Sequence, residues 1–423
     1  MNRQRHSLPG PDDTSHVTLP NGINLLVRSN FNSPSVVIGG YLSCGNLFDS
    51  DEKLGLADFT ALGLMRGTAT RSFQQIFDML ESVGASLSCG AGAHNTGFSG
   101  RSLIEDLPLI LNLLADVLSD PVFPTIEIER LRAQYLTSLA ERAQDTADMA
   151  AITFDQIVFA NHPYARPDDG WPETIQAIQR SDLVDFHQKC YGPQGMVLAL
   201  VGAIDPEAAI EQVTAALGDW SNPGQLKLPS LPRLKPLKKT VTRKVQIPGK
   251  SQSDLVIGSS GPARKDPEHM AAALGNSALG QFGLGGRIGD VVREKSGLAY
   301  YASSSLNAGI GPGSWCVSAG VNPANVQKAH DLILQEIERF IETGITAEEL
   351  ADSQSNFIGR LPLSLESNSG VANALLNIER YELGLDYYRR YPDLVRTVTP
   401  ERVLTAVRKY LDPGLLAIAI AGP

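Results

Sequence analysis

The feature that most constrains this chain is a proline-rich stretch at its middle. Residues 221 to 239 read SNPGQLKLPSLPRLKPLKK, with four prolines and five basic residues and no helical or strand period. Proline lacks the amide donor that a helix or an inner strand needs, so this composition gives a semi-rigid extended linker. At 423 residues the chain exceeds what one hydrophobic core supports. The linker, 221–240, therefore divides it into an N-terminal domain, 1–220, and a C-terminal domain, 241–423.

The two halves repeat each other. SDLVDFHQKCYGP, from Ser181, reads as a capped helix stopped by Gly-Pro, and the buried strand MVLALVGAID follows it. TPERVLTAVRKYLDP, from Thr399, is again a capped helix with Pro400 at its first position, followed by LLAIAIAGP. Upstream, LIEDLPLILNLLADVLSDPVFPTIEIERLRAQYLTSL matches VQKAHDLILQEIERFIETGITAEELADSQSNFIGRL. Each is an apolar-periodic helix, a short break, and a second helix led by acidic residues.

Within each half strands come first, then helices, then a closing strand. In the first half VTLPNGINLLVRSN predicts a hairpin turning at Asn21-Gly22. SPSVVIGGYLSCG predicts a strand, and GLADFTALGLMRGT and FQQIFDMLESVG predict helices. ASLSCGAGAHNTGFSGRSL predicts a glycine-rich strand pair. Segregated strands and helices imply an α+β fold of two homologous halves, each a mostly antiparallel sheet with helices packed on one face.

Charge and cysteine usage exclude several functions. A net charge of −10 argues against a nucleic-acid binder, which needs a basic face for phosphates, and against binding to anionic lipid. The four cysteines form no C-x-x-C pair, so neither a disulfide framework nor a thiolate zinc site is expected. MNRQRHSLPGPDDTSH has no apolar segment behind its basic residues, and no run is long and apolar enough to span a bilayer. The expectation is a soluble cytoplasmic protein, or a periplasmic one if a signal peptide has been removed.

Three segments carry a resemblance. They are the Gly55–Thr68 helix ending in Arg-Gly-Thr, NHPYARPDDGWPETI from Asn161, and VVREKSGLAYYASSS from Val291. With the duplication and the linker, their order is similar to that of the insulinase and mitochondrial processing peptidase family of zinc peptidases, the pitrilysin-like inverted zincins. Peptide-cleaving members carry H-x-x-E-H on the first of these helices. Two histidines one turn apart bind zinc and the glutamate acts as general base on the metal-bound water. A further glutamate on a later helix completes the metal site. In this register the first histidine falls on Asp58, the glutamate on Ala61, the second histidine on Leu62 and the later glutamate on Ser138. One carboxylate cannot hold Zn²⁺, and none of the seven histidines forms H-x-x-x-H. No metal or other cofactor is expected in this chain; the resemblance places zinc in a partner subunit.

Arg293 and Tyr300, in R-E-K-S-G-L-A-Y, match the arginine–tyrosine pair that the family places opposite the zinc. A helix ending near Lys295, a turn at Ser296-Gly297 and a strand from Leu298 would point Tyr300 and Tyr301 to opposite faces. A guanidinium and a phenol converging on a cleft can grip a substrate carbonyl and stabilise the developing oxyanion. The alternative is a surface ion pair of Arg293 with Glu294 and a half-buried strand aromatic at Tyr300.

LGQFGLGGRIGD, which carries Gly283, Gly285 and Gly286, lacks the G-x-x-x-x-G-K phosphate cradle. It resembles the substrate-contacting loop of the family's non-zinc processing subunit; close packing at a helix interruption is the other reading. The strand bearing Gly90, Ala91 and Gly92 lies where the family pairs an edge strand with extended substrate, and such addition favours small side chains. The resemblance thus implies the non-zinc subunit of a heterodimer with an H-x-x-E-H homologue, acting on unfolded peptides, with no nucleic-acid or membrane partner. A catalytically inert structural or peptide-binding homologue is the alternative.

Overall fold

The computed structural model describes residues 8–281 and 285–423. They divide into two compact units, one comprising residues up to 139, 167–230 and 361–389, the other 140–166, 231–360 and 390–423. Gly283, one of the expected substrate contacts, and the extreme N-terminus lie outside the described residues.

The first unit is built on a six-stranded sheet. Its strands are β1 (Ser15–Thr18), β2 (Asn24–Ser29), β3 (Ser35–Leu42), β4 (Ser86–Ala91), β5 (Thr96–Leu103) and β6 (Val197–Gly202), in the order β1-β2-β6-β3-β5-β4. β1 and β2 form the expected hairpin, with Gly22 at φ +96° in the turn, a left-handed position that glycine adopts without strain. β6 runs parallel to β2 and antiparallel to β3.

The second unit carries five strands, β7 (Val241–Gln246), β8 (Ser253–Ser260), β9 (Ala299–Asn307), β10 (Ser314–Val321) and β11 (Ala417–Gly422), in the order β7-β11-β8-β10-β9. β11 is parallel to β7 and antiparallel to β8. The order β2-β6-β3-β5-β4 therefore recurs strand for strand as β7-β11-β8-β10-β9. In each half the last strand inserts between two earlier ones, β6 between β2 and β3 and β11 between β7 and β8.

The helices extend the one-face expectation. In the first unit the main core joins Leu25, Val27, Val36 and Ile38 to the helices Leu107–Ser119, Thr125–Arg142 and Arg180–Cys190. The opposite face of β3 and β6 is covered by the helix Asn368–Arg380, close enough that a Cβ at Gly39 would lie 3.2 Å from Leu376. In the second unit Leu255 and Ile257 of β8 face the helix Val326–Thr343, while Val256 packs with Phe154 and Ile157 of the helix Thr146–Val158. Burial on both faces is why VLALVG and AIAIAG read as unbroken apolar runs rather than alternating ones. The linker residues 221–240 form no helix or strand, and Leu234 and Leu237 pack on the Phe154 cluster.

Local signals set the helix ends. Ser72 and Gln75 form a reciprocal capping box, and Thr399 accepts from the Arg402 amide with Pro400 at the first helical position. Among the described residues no helix is long and apolar enough to cross a membrane. The four cysteines are free thiols; Cys44, Cys190 and Cys316 are buried and Cys89 is half-buried.

Candidate functional site

The helix in the metal register, Leu56–Gly63, starts abruptly because two groups prepare its N-terminus. Gly55 takes φ +89°, where an added Cβ would lie 2.7 Å from Ile175. The buried Asp49 then accepts from the Gly55 amide at 2.9 Å and the Ala57 amide at 3.0 Å. A carboxylate there satisfies first-turn donors and complements the helix dipole. Apolar side chains are buried around most of the helix: Leu56, Ala57, Phe59 and Ala61 all lie inside.

Asp58 is the one acidic side chain on that helix. Its Oδ2 accepts from the Tyr135 hydroxyl at 2.7 Å, and its Oδ1 accepts from the Ala91 amide at 3.1 Å. The group thus ties three elements together: its own helix, the helix Thr125–Arg142 and β4. Burial pushes the Asp58 carboxyl above its ordinary range, against the two hydrogen bonds that favour the ionised form. The Tyr135 ring meets Phe59 edge-on at 5.6 Å, and Arg132 lies over the other side chain of this corner, 5.3 Å from the Phe59 centroid.

The other positions of the register offer no metal donor set. Ala61 is buried and apolar, Leu62 packs against the core, and the exposed Ser138 donates to the Gln134 carbonyl one turn back. The single carboxylate is already engaged by Tyr135 and Ala91. Zinc needs three or four N, O or S ligands, so these residues do not fit it. Among the described residues no group of three or more His, Cys, Asp or Glu is placed to hold a metal.

Beside this corner, β4 is the terminal strand of its sheet and, among the described residues, pairs only with β5. A Cβ at Gly90 would meet nothing within 4 Å, and one at Gly92 would first meet Asp168 at 3.9 Å. Gly90, Ala91 and Gly92 therefore lie on an edge strand with room off the sheet face at Gly90, while the Ala91 amide is held by Asp58 and the Gly92 carbonyl accepts from the Asn46 amide at 3.1 Å.

In the second unit the segment Asp290–Glu294 ends in a turn with Gly297 at φ +60°, and β9 begins at Ala299. Tyr300 projects outward and is 88% exposed. Tyr301 turns to the opposite face and donates to the buried Asp254 at 2.5 Å, as strand alternation requires. Arg293 Nε pairs with Glu294 Oε1 at 2.9 Å. Gly285 and Gly286 have φ +110° and +56°; a Cβ there would lie 2.6 Å from the Ala302 carbonyl oxygen and 2.5 Å from that of Ala278. Backbone geometry alone accounts for glycine at both.

Sequence reasoning missed three partners. Tyr135 lies one turn before Ser138 on the same helix, so the register that pointed to Ser138 also brings Tyr135 near Asp58. Asp254 accepts from Gln252 at 3.0 Å as well as from Tyr301, and Thr146 also donates to it. Asn276, on the helix His269–Asn276, accepts from Ser304 of β9 at 2.6 Å, and Trp315 donates to Ser304 at 3.2 Å. No local signal in the sequence announces the last two networks, which join residues distant along the chain.

A duplicated α+β fold whose Leu56–Gly63 helix lies in the family's metal register by resemblance defines a peptidase-like protein of the inverted-zincin class. Residues 25–167 match the family described as Insulinase (Peptidase family M16), and residues 177–357 match the Peptidase M16 inactive domain. The chain belongs to this insulinase-like peptidase family. It is 27% identical over 412 residues to an uncharacterised zinc protease of Streptomyces coelicolor, covering 95% of this chain and 88% of that protein. It is 24% identical over 413 residues to the mitochondrial-processing peptidase subunit beta of Saccharomyces cerevisiae, covering 94% and 86%. Among solved structures, a peptidase M16 inactive domain from Pseudomonas fluorescens superposes with a TM-score of 0.90 at 25% identity, covering 97% of this chain and 98% of that one.

Proposed function

We propose that this chain is the non-zinc-binding subunit of a two-chain zinc peptidase acting on unfolded peptides. The observation that carries the reading is the division of its motifs. Asp58, Ala61, Leu62 and Ser138 occupy the metal register, whereas Arg293 and Tyr300 retain the family's pair and Tyr300 is held out to solvent. A homologous H-x-x-E-H subunit would supply zinc and base. Arg293 and Tyr300 would bind the peptide carbonyl and donate to the oxyanion as it forms. The edge strand that bears Gly90, Ala91 and Gly92 would pair with the extended peptide backbone through donors other than the Ala91 amide, which Asp58 already holds, with Gly285 and Gly286 near a second contact. The similarity to a processing-peptidase subunit supports a two-chain arrangement. We place the protein in an aqueous compartment, the cytoplasm or the periplasm.

Reconstitution with the zinc-bearing homologue tests this. Arg293→Ala and Tyr300→Phe should each lower kcat by about 10²-fold with assembly unchanged. Full activity of both variants, or peptide cleavage by this chain alone, overturns the reading. The ion pair of Arg293 with Glu294 favours a second reading, an inert structural or peptide-binding homologue, in which neither variant changes any rate.

A further inference from the structure

We infer that Asp58 is a positioning residue that sets where a peptide on the β4 edge must stop. The inference rests on the edge-pairing reading above and adds a register to it.

The hydrogen-bond pattern of the edge follows from its turn. The Gly92 amide donates to the Asn95 carbonyl at 2.9 Å, which makes Gly92 and Asn95 a bonded pair at the base of the β4–β5 hairpin. The register steps back through Gly90 opposite Gly97 and Ser88 opposite Ser99. In an antiparallel pair, bonded and non-bonded positions alternate. The amides of Ala91, Cys89 and Leu87 therefore turn away from β5, to the open edge. The Ala91 amide bears this out, because it donates outward to Asp58 Oδ1 at 3.1 Å.

That contact takes one of the three outward donors out of use. Tyr135 holds the other carboxylate oxygen at 2.7 Å, so Asp58 cannot swing aside without breaking a second hydrogen bond. An added strand pairs with Leu87 and Cys89 and has to leave the edge before Ala91. A side chain in the metal register thus acts here as a boundary for backbone pairing.

Residue-resolved hydrogen exchange on the full chain, with and without an unstructured peptide of mixed sequence, tests this. In the native chain the Ala91 amide should exchange slowly and stay unchanged on peptide addition, while Leu87 and Cys89 slow by about tenfold. Asp58→Ala should speed Ala91 by about tenfold in the free chain and let peptide protect it. Asp58→Asn keeps an acceptor and should restore slow exchange; Tyr135→Phe should leave Ala91 capped. Equal Ala91 exchange in native and Asp58→Ala free chains overturns the inference without reference to peptide. Peptide-induced slowing of Ala91 in the native chain overturns it while leaving edge pairing standing. No change at Leu87 and Cys89 removes edge pairing and the boundary together. The native-chain comparison needs no variant, so a poorly folding substitution cannot rescue the proposal.

Discussion

The Tyr135 hydroxyl donates to Asp58 across 77 residues of sequence, joining the two helices that carry the metal register. A hydrogen bond between neutral and acidic side chains links the elements that, by the resemblance, a metal ion would join in zinc-bearing members of the family. Its strength depends on protonation, and so do its consequences for stability.

Asp58 is held above its ordinary carboxylate value, chiefly by burial. A raised acidic group favours the folded state fully below its unfolded value and loses that contribution as pH rises through the folded one. Asp58→Asn removes the ionisation but keeps an acceptor for Ala91. It is expected to equal the native chain in acid and to exceed it at pH 7 by up to about 1 kcal/mol, solvent reaching this half-buried group limiting the gain. Urea midpoints across the window from 3.8 upward check the sign; a variant whose disadvantage grows with pH contradicts it.

Tyr135→Phe keeps the edge contact with Phe59 but removes a donor from the carboxylate. The expected loss at pH 7 is about 1–3 kcal/mol, shrinking in acid where the neutral carboxyl needs the donor less. A loss independent of pH would mean that packing, rather than the hydrogen bond, accounts for the effect.

In the second unit Ser304 receives from Trp315 and donates to Asn276, and all three side chains are buried. Ser304→Ala strands a buried indole N–H and a buried amide oxygen, at an expected cost of about 2–3 kcal/mol. Ser305 is the next residue on β9 and is exposed, so Ser305→Ala should stay within about 0.5 kcal/mol. Equal losses at the two serines would show that the network contributes little.

Periodic and punctuating features were legible in the sequence because each is local. The Asn21-Gly22 turn, the Thr399-Pro400 cap and the apolar runs of β6 and β11 depend on residues within one element. The duplication was legible because the same local signals recur in order. Which helix covers the second face of each sheet was not, since Asn368–Arg380 and Thr146–Val158 pack on strands distant in sequence. The resemblance set Asp58, Ala61, Leu62 and Ser138 in the metal register. It did not show that Asp58 had acquired Tyr135 and Ala91, because hydrogen-bond partners are set by tertiary packing rather than by spacing. Tyr300 and Tyr301 were separable by strand alternation, yet the acceptor for Tyr301, Asp254, lies on another strand.

The glycines offered as substrate contacts separate into two kinds. Gly286 sits at φ +56° with a would-be Cβ 2.5 Å from the Ala278 carbonyl oxygen, and backbone cannot yield as a flexible side chain does. Gly286→Ala is therefore expected to lose about 1–3 kcal/mol. At Gly90 an added methyl meets nothing within 4 Å, and alanine suits a strand better than glycine does. Gly90→Ala should keep stability within about 0.5 kcal/mol of native. The methyl would rise from the face of the sheet and leave the outward amides of β4 uncovered, so peptide affinity should stay close to native. Thermal unfolding and peptide titration on the same samples separate these outcomes. An unstable Gly90→Ala variant, or a Gly286→Ala variant as stable as the native chain, would contradict the assignment of strain to one glycine and open space to the other.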